Sequence, residues 1–159
     1  TSNGTVRLYN SPGIDFSGIQ TNTAGVTSET LSAYEEGIWT PSVRFGGNSV
    51  GLTYKSRNGN YVRVGNVCIA QFGVRIDNKG TSTGAFEIAG LPFNSLQSSY
   101  YHGGACFTML DALSSLPHAQ LFVSGTTFQF RFGQDNNIVP TETTVIDNMS
   151  IFGTAIYII

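Results

Sequence analysis

Tyr61-Val62-Arg63-Val64-Gly65-Asn66-Val67-Cys68-Ile69-Ala70-Gln71-Phe72-Gly73-Val74-Arg75-Ile76 carries the pattern that sets the fold class. Two runs rich in β-branched residues flank Gly65-Asn66, a pair suited to a two-residue hairpin loop. In the second run Cys68, Ala70, Phe72, Val74 and Ile76 alternate with Gln71 and Arg75. A period of two puts the first set on one face of a strand and the polar pair on the other, so the segment reads as a half-buried antiparallel strand.

Strand and turn texture continues on both sides. Upstream, Asn58-Gly59 is the dipeptide most typical of a tight hairpin turn, and it predicts a turn there. Downstream, Asp77 to Gly80 reads as a turn and Ala85 to Ala89 as a strand stopped by Gly90-Leu91-Pro92. Residues 94–104 read as a polar, aromatic loop and Ala105 to Leu110 as a strand. Gln120 to Val123 and Thr127 to Phe132 read as a second hairpin, with Phe128, Phe130 and Phe132 on one face. The final run, Ser150 to Ile159, is apolar on both faces near its end. Such a strand must be central in a sheet or covered by a partner; burial within the chain and burial at a subunit seam both satisfy it. Strands recurring about every ten residues predict an all-β antiparallel sandwich of jelly-roll-like type.

Residues 1–33 differ in texture. They hold too few apolar residues for a core of their own, and read as an extended neck or linker, either disordered or ordered only by winding against copies of itself, ahead of a sandwich domain over 34–159. Thr27 to Ala33 carries a weak helix-capping signal and predicts one short helical turn. The polar first 30 residues, beginning with Thr, lead us to expect no signal peptide and a fragment or processed product.

Composition narrows the function classes. The chain has 159 residues, enough for one domain with a real core. Only 11% are charged, against about 25% in ordinary soluble domains. Depletion of charge is what interface cores show, so much of the surface is expected to lie between subunits. Lys and Arg together number 8, are scattered, and leave a net charge of −2; no basic stripe marks a nucleic-acid binder. No apolar run approaches the roughly 18 residues of a spanning helix, so no membrane insertion is expected. Cys68 and Cys106 are not spaced as a redox or metal pair. They read as buried free thiols of a chain folded in a reducing cytoplasm, with a disulfide as the alternative.

The search for chemistry returns little. His102 and His118 are isolated, and no nucleophile, phosphate-cradling or metal-ligand motif is present, so neither catalytic residues nor a metal or other cofactor are expected. Glu35-Glu36 is the one adjacent pair of acids with a catalytic look. Neighbours on a strand point to opposite faces and cannot flank one bond at about 5 to 9 Å. They read as an exposed turn or an Arg-pairing site between subunits. Trp39 reads as a core anchor, with a sugar-stacking platform as the alternative. Asp135-Asn136-Asn137 reads as an Asx-rich turn. A sugar site needs a flat aromatic face beside polar groups. Gln97, Tyr100, Tyr101 and His102 supply both in one glycine-closed loop and are the candidate glycan contacts.

Leu31-Ser32-Ala33-Tyr34-Glu35-Glu36-Gly37-Ile38-Trp39-Thr40-Pro41, then Gly59-Asn60-Tyr61-Val62-Arg63-Val64-Gly65, then Asn78-Lys79-Gly80-Thr81-Ser82-Thr83-Gly84 and Ile88-Ala89-Gly90-Leu91-Pro92-Phe93 form a spaced set. Together they resemble the C-terminal domains of bacteriophage tail fibres and tailspikes, over residues 31–93. The resemblance implies a homotrimeric β-sandwich at the distal end of a virion fibre, folded in the host cytoplasm. Such domains act as trimerisation caps and as modules that bind surface glycan, either lipopolysaccharide or capsule. The resemblance leaves both roles open, including a purely structural cap of a polysaccharide-depolymerising tailspike with recognition and catalysis elsewhere. The candidate trimer contacts are Ile156, Tyr157, Ile158 and Ile159 on the last strand, with Glu35 and Glu36.

Overall fold

The computed structural model describes residues 13–16, 29–96, 103–110, 119–132 and 140–159. Side chains of 105–110, 119–124 and 128–132 are not among those described, which leaves the Phe128, Phe130 and Phe132 face outside them.

Strands β1 (Ile14–Asp15) and β2 (Thr30–Leu31) pair as a small antiparallel ribbon, Ile14 opposite Leu31. The remaining strands are β3 (Tyr34–Trp39), β4 (Ser42–Phe45), β5 (Thr53–Val64), β6 (Val67–Asn78), β7 (Phe86–Ala89), β8 (Gly104–Leu110), β9 (Ala119–Ser124), β10 (Thr127–Phe132) and β11 (Ser150–Ile158). They form a five-stranded sheet in the order β3-β5-β6-β11-β8 and a four-stranded sheet in the order β4-β7-β10-β9. Every pairing is antiparallel, and the described residues contain no helix. The chain is an all-β, antiparallel two-sheet protein, as its periodicity predicts.

The β5–β6 hairpin turns at Gly65-Asn66, and the β9–β10 hairpin at Gly125-Thr126. Gly65 and Gly125 take φ of +57° and +61°. A positive φ at the first turn position costs glycine nothing and matches the twist of the flanking strands.

The core is filled from both sheets. Cys68, Ala70, Phe72, Val74 and Ile76 of β6 and Ile151, Ala155 and Tyr157 of β11 meet Val43 and Phe45 of β4 and Phe86 and Ile88 of β7. Leu91, Val145 and Met149 belong to the same buried cluster. Phe45 and Phe86 stack obliquely at 5.8 Å. Each fully buried aliphatic or aromatic side chain contributes about 1.5–3 kcal/mol.

Three local expectations are corrected. Asn58-Gly59 is not a turn: it lies inside β5, with Gly59 opposite both Trp39 and Phe72. A Cβ on Gly59 would sit 2.4 Å from Trp39 Nε1, so the glycine is there for the indole to lie across the strand. The helical turn expected at 27–33 is absent from its described part, where Thr30–Leu31 forms β2 instead. Pairing with β1 supplies the backbone hydrogen bonds that a one-turn helix would have lacked. Glu35 and Glu36 are not in a turn but in β3.

Candidate functional site

Strand β3 lies at the edge of the five-stranded sheet and carries Tyr34 to Trp39 against β5 in reverse order. Alternation sends Glu35, Gly37 and Trp39 to the inner face and Tyr34, Glu36 and Ile38 to the outer. Trp39 is 8% exposed, packs edge-on to Phe72 at 6.2 Å, and donates its indole N–H to the Gln71 carbonyl at 3.0 Å. It is a core anchor rather than a sugar platform.

The two acids are split between faces. Tyr61 reaches across Gly37 and donates its hydroxyl to Glu35 Oε1 at 2.5 Å. Its ring meets Phe93 edge-on at 5.4 Å, and the Arg63 guanidinium lies 5.3 Å from the Phe93 centroid. On the outer side Tyr34 donates to Glu36 Oε2 at 3.0 Å. Each phenol is held above its ordinary pKa, chiefly by the hydrogen bond to its carboxylate. The arrangement gives two separate tyrosine–carboxylate contacts, not a pair of acids facing one bond.

Strand β11 resolves the doubly apolar run at the C-terminus. It is central, paired along both edges by β6 and β8, with one face turned into the core and the other to the outside of the sheet. Tyr157 points inward and is enclosed by its own chain. Burial, and next the Cys68 thiol beside it, raise its hydroxyl above the ordinary range. Burial likewise raises Cys68, which is a free thiol. Ile156 points outward and is 50% exposed; Ile158 is half-buried, and Ile159 packs partly against the core.

The outer face of this sheet divides in two. At one end the register lines up Tyr34, Val64, Val67 and Ile158 in one row and Glu36, Val62, Ile69 and Ile156 in the next. Val64, Val67, Ile69 and Ile156 are all exposed there. Farther along, the rows turn polar: Ile38, Asn60, Gln71 and Thr154, then Asn58, Gly73 and Phe152. A contiguous apolar patch on a sheet face marks an interaction surface. The clue in the sequence was the alternation of Val62, Val64, Val67 and Ile69 in a strand pair whose other face is also apolar; only the pairing of β11 with β6 joins Ile156 to them.

The candidate glycan contacts Gln97, Tyr100, Tyr101 and His102 lie outside the described residues. Of the residues flanking them, Leu96 donates its N–H to the Ile158 carbonyl and Gly104 lies opposite Ile156. Among the described residues no three His, Cys, Asp or Glu side chains gather as a metal site, and no helix is long and apolar enough to cross a membrane.

These features define a class: an antiparallel two-sheet β-protein with an apolar outer face on its larger sheet. Among solved structures, the fold is similar to that of the Dettilon tailspike protein, with a TM-score of 0.56 over 79% of this chain at 16% identity. The chain spans 23% of that protein's length. No family model and no curated protein matches the sequence.

Proposed function

We propose that this chain is the C-terminal assembly and attachment module of a bacteriophage tail fibre or tailspike. It forms a homotrimer at the distal end of the virion fibre and binds bacterial surface polysaccharide, lipopolysaccharide or capsule. The module itself catalyses nothing. The tailspike fold likeness supports the class, and the sequence resemblance over residues 31–93 points the same way.

The observation that carries the reading is the apolar end of the outer face. Val62, Val64, Val67, Ile69, Ile156 and Ile158 come from three adjacent strands in a chain with 11% charged residues. Sister copies supply apolar surface of the same kind and remove this face from water. Sedimentation velocity tests it. The chain is expected to run at three times its 17.0 kDa mass. The double substitution Ile69→Glu, Ile156→Glu is expected to release a folded single chain, because each uncompensated charge costs an interface about 3–5 kcal/mol. A wild-type chain that sediments as one protomer overturns the reading.

The same face favours a second reading, a purely structural cap on a polysaccharide-depolymerising tailspike. In that case trimerisation stands and the module retains no polysaccharide.

A further inference from the structure

Beyond the apolar rows, the outer face of the five-stranded sheet holds a cleft of about 450 Å³ lined by Ser56, Asn58, Asn60, Gln71, Gly73 and Phe152. That volume is in the range of small-ligand sites, roughly 300–1,000 Å³. Its origin is one missing side chain. Gly73 sits between Gln71 and Arg75 along β6 and between Asn58 and Phe152 across the sheet. A Cβ there would come within 2.9 Å of the Phe152 ring, so the ring leans over bare backbone. Glycine inside a strand weakens it, and where it occurs something commonly approaches the backbone closely.

The walls match one chemistry. Asn60 Nδ2 donates to Gln71 Oε1 at 2.9 Å, which fixes two exposed amides relative to each other. Whichever amide donates, the pair leaves a carbonyl oxygen and an NH₂ group unspent. One acceptor and one donor side by side fit a pair of neighbouring hydroxyls. Asn58 and Ser56 add further polar groups, and Phe152 adds an apolar ring for a C–H face. Unspent amides disfavour a dry protein partner, which would strand them at about 1–3 kcal/mol each. The lining contains no carboxylate, and the Arg75 guanidinium stands 5.5 Å from the Phe152 centroid at the rim. A fixed cation there selects for sugars bearing carboxylate or phosphate.

We propose that the Gly73 cleft is a saccharide-binding subsite, in which Phe152 packs against the sugar ring, the Asn60–Gln71 amide pair with Asn58 and Ser56 bonds its hydroxyls, and Arg75 favours acidic sugars. The proposal rests on the attachment reading and locates it on the sheet rather than at residues 97–102.

The test is retention of the full-length chain on an array of purified lipopolysaccharides and capsular polysaccharides, neutral and uronic-acid-containing. Wild type is expected to be retained, acidic polysaccharides above neutral ones. The double substitution Asn60→Ala, Gln71→Ala, both at exposed positions, is expected to weaken retention about tenfold or more with the thermal midpoint unchanged. Arg75→Gln is expected to abolish the preference for acidic sugars; a preference that survives it overturns the role given to Arg75. Tyr100→Ala and Tyr101→Ala serve as the comparison. If retention survives the amide double substitution and falls with the tyrosines, the cleft proposal fails while the attachment reading stands. If the array retains no wild-type chain, the attachment reading fails and the subsite with it.

Discussion

Gly59 shows how a single residue can carry two contradictory signals. Its dipeptide partner Asn58 makes it look like a turn, yet the chain runs straight through in β5. Local propensity favours the turn, and the indole of Trp39 lying over the backbone overrules it. Gly59→Ala is therefore expected to cost about 1–3 kcal/mol, the usual range for overpacking. The single tryptophan reports on it directly: urea denaturation followed by Trp39 emission will show a lowered midpoint and a red-shifted native spectrum. Tyr157 belongs to the same scale. Its folded pKa is raised, first by burial and then by Cys68. The stability it contributes is complete below the unfolded value of about 10 and drains away as pH climbs toward the folded value. Tyr157→Phe is expected to lose about 1 kcal/mol of hydrogen bonding at neutral pH. It should also flatten the fall of the urea midpoint above about pH 10. Tyr34 and Tyr61, also raised, keep part of that slope.

At the scale of the element, the β5–β6 hairpin was legible because periodicity and turn chemistry agree: the alternating set of β6 is buried residue by residue. β2 was misread because a capping signal over a few residues is weak evidence beside a strand pairing with residues some fifteen positions away. β11 was half legible. Its double apolarity demanded two cover layers, but sequence alone did not say which side chains the fold itself encloses. Ile151 is 0% exposed and Ile156 is 50% exposed on the same strand. Ile151→Ala is expected to lower folding stability by about 2–5 kcal/mol. Ile156→Ala is expected to leave the isolated fold within about 1 kcal/mol of wild type and to act instead on the concentration dependence of assembly. Thermal melts over a hundredfold range of protein concentration separate the two effects.

For the whole molecule, class was readable and order was not. Strand count and spacing announce an antiparallel sandwich. Placing β11 between β6 and β8 is a long-range choice that no local window contains. The candidate surface suffered most from that gap, since Ile156 and Phe152 join β6 residues only through this pairing. Gly73 carries no signal of its own in the alternation of β6, because its meaning depends on Phe152, nearly eighty positions later.

One edge of the larger sheet bears on how copies can join. Among the described strands β3 pairs only with β5, and an edge open in this way invites endless strand-by-strand growth. That border carries Glu35 and Glu36, and a second copy laid alongside would bring like charges together without water between them. Addition of strands at that border is thereby discouraged, while the broad greasy side of the sheet stays available for contact.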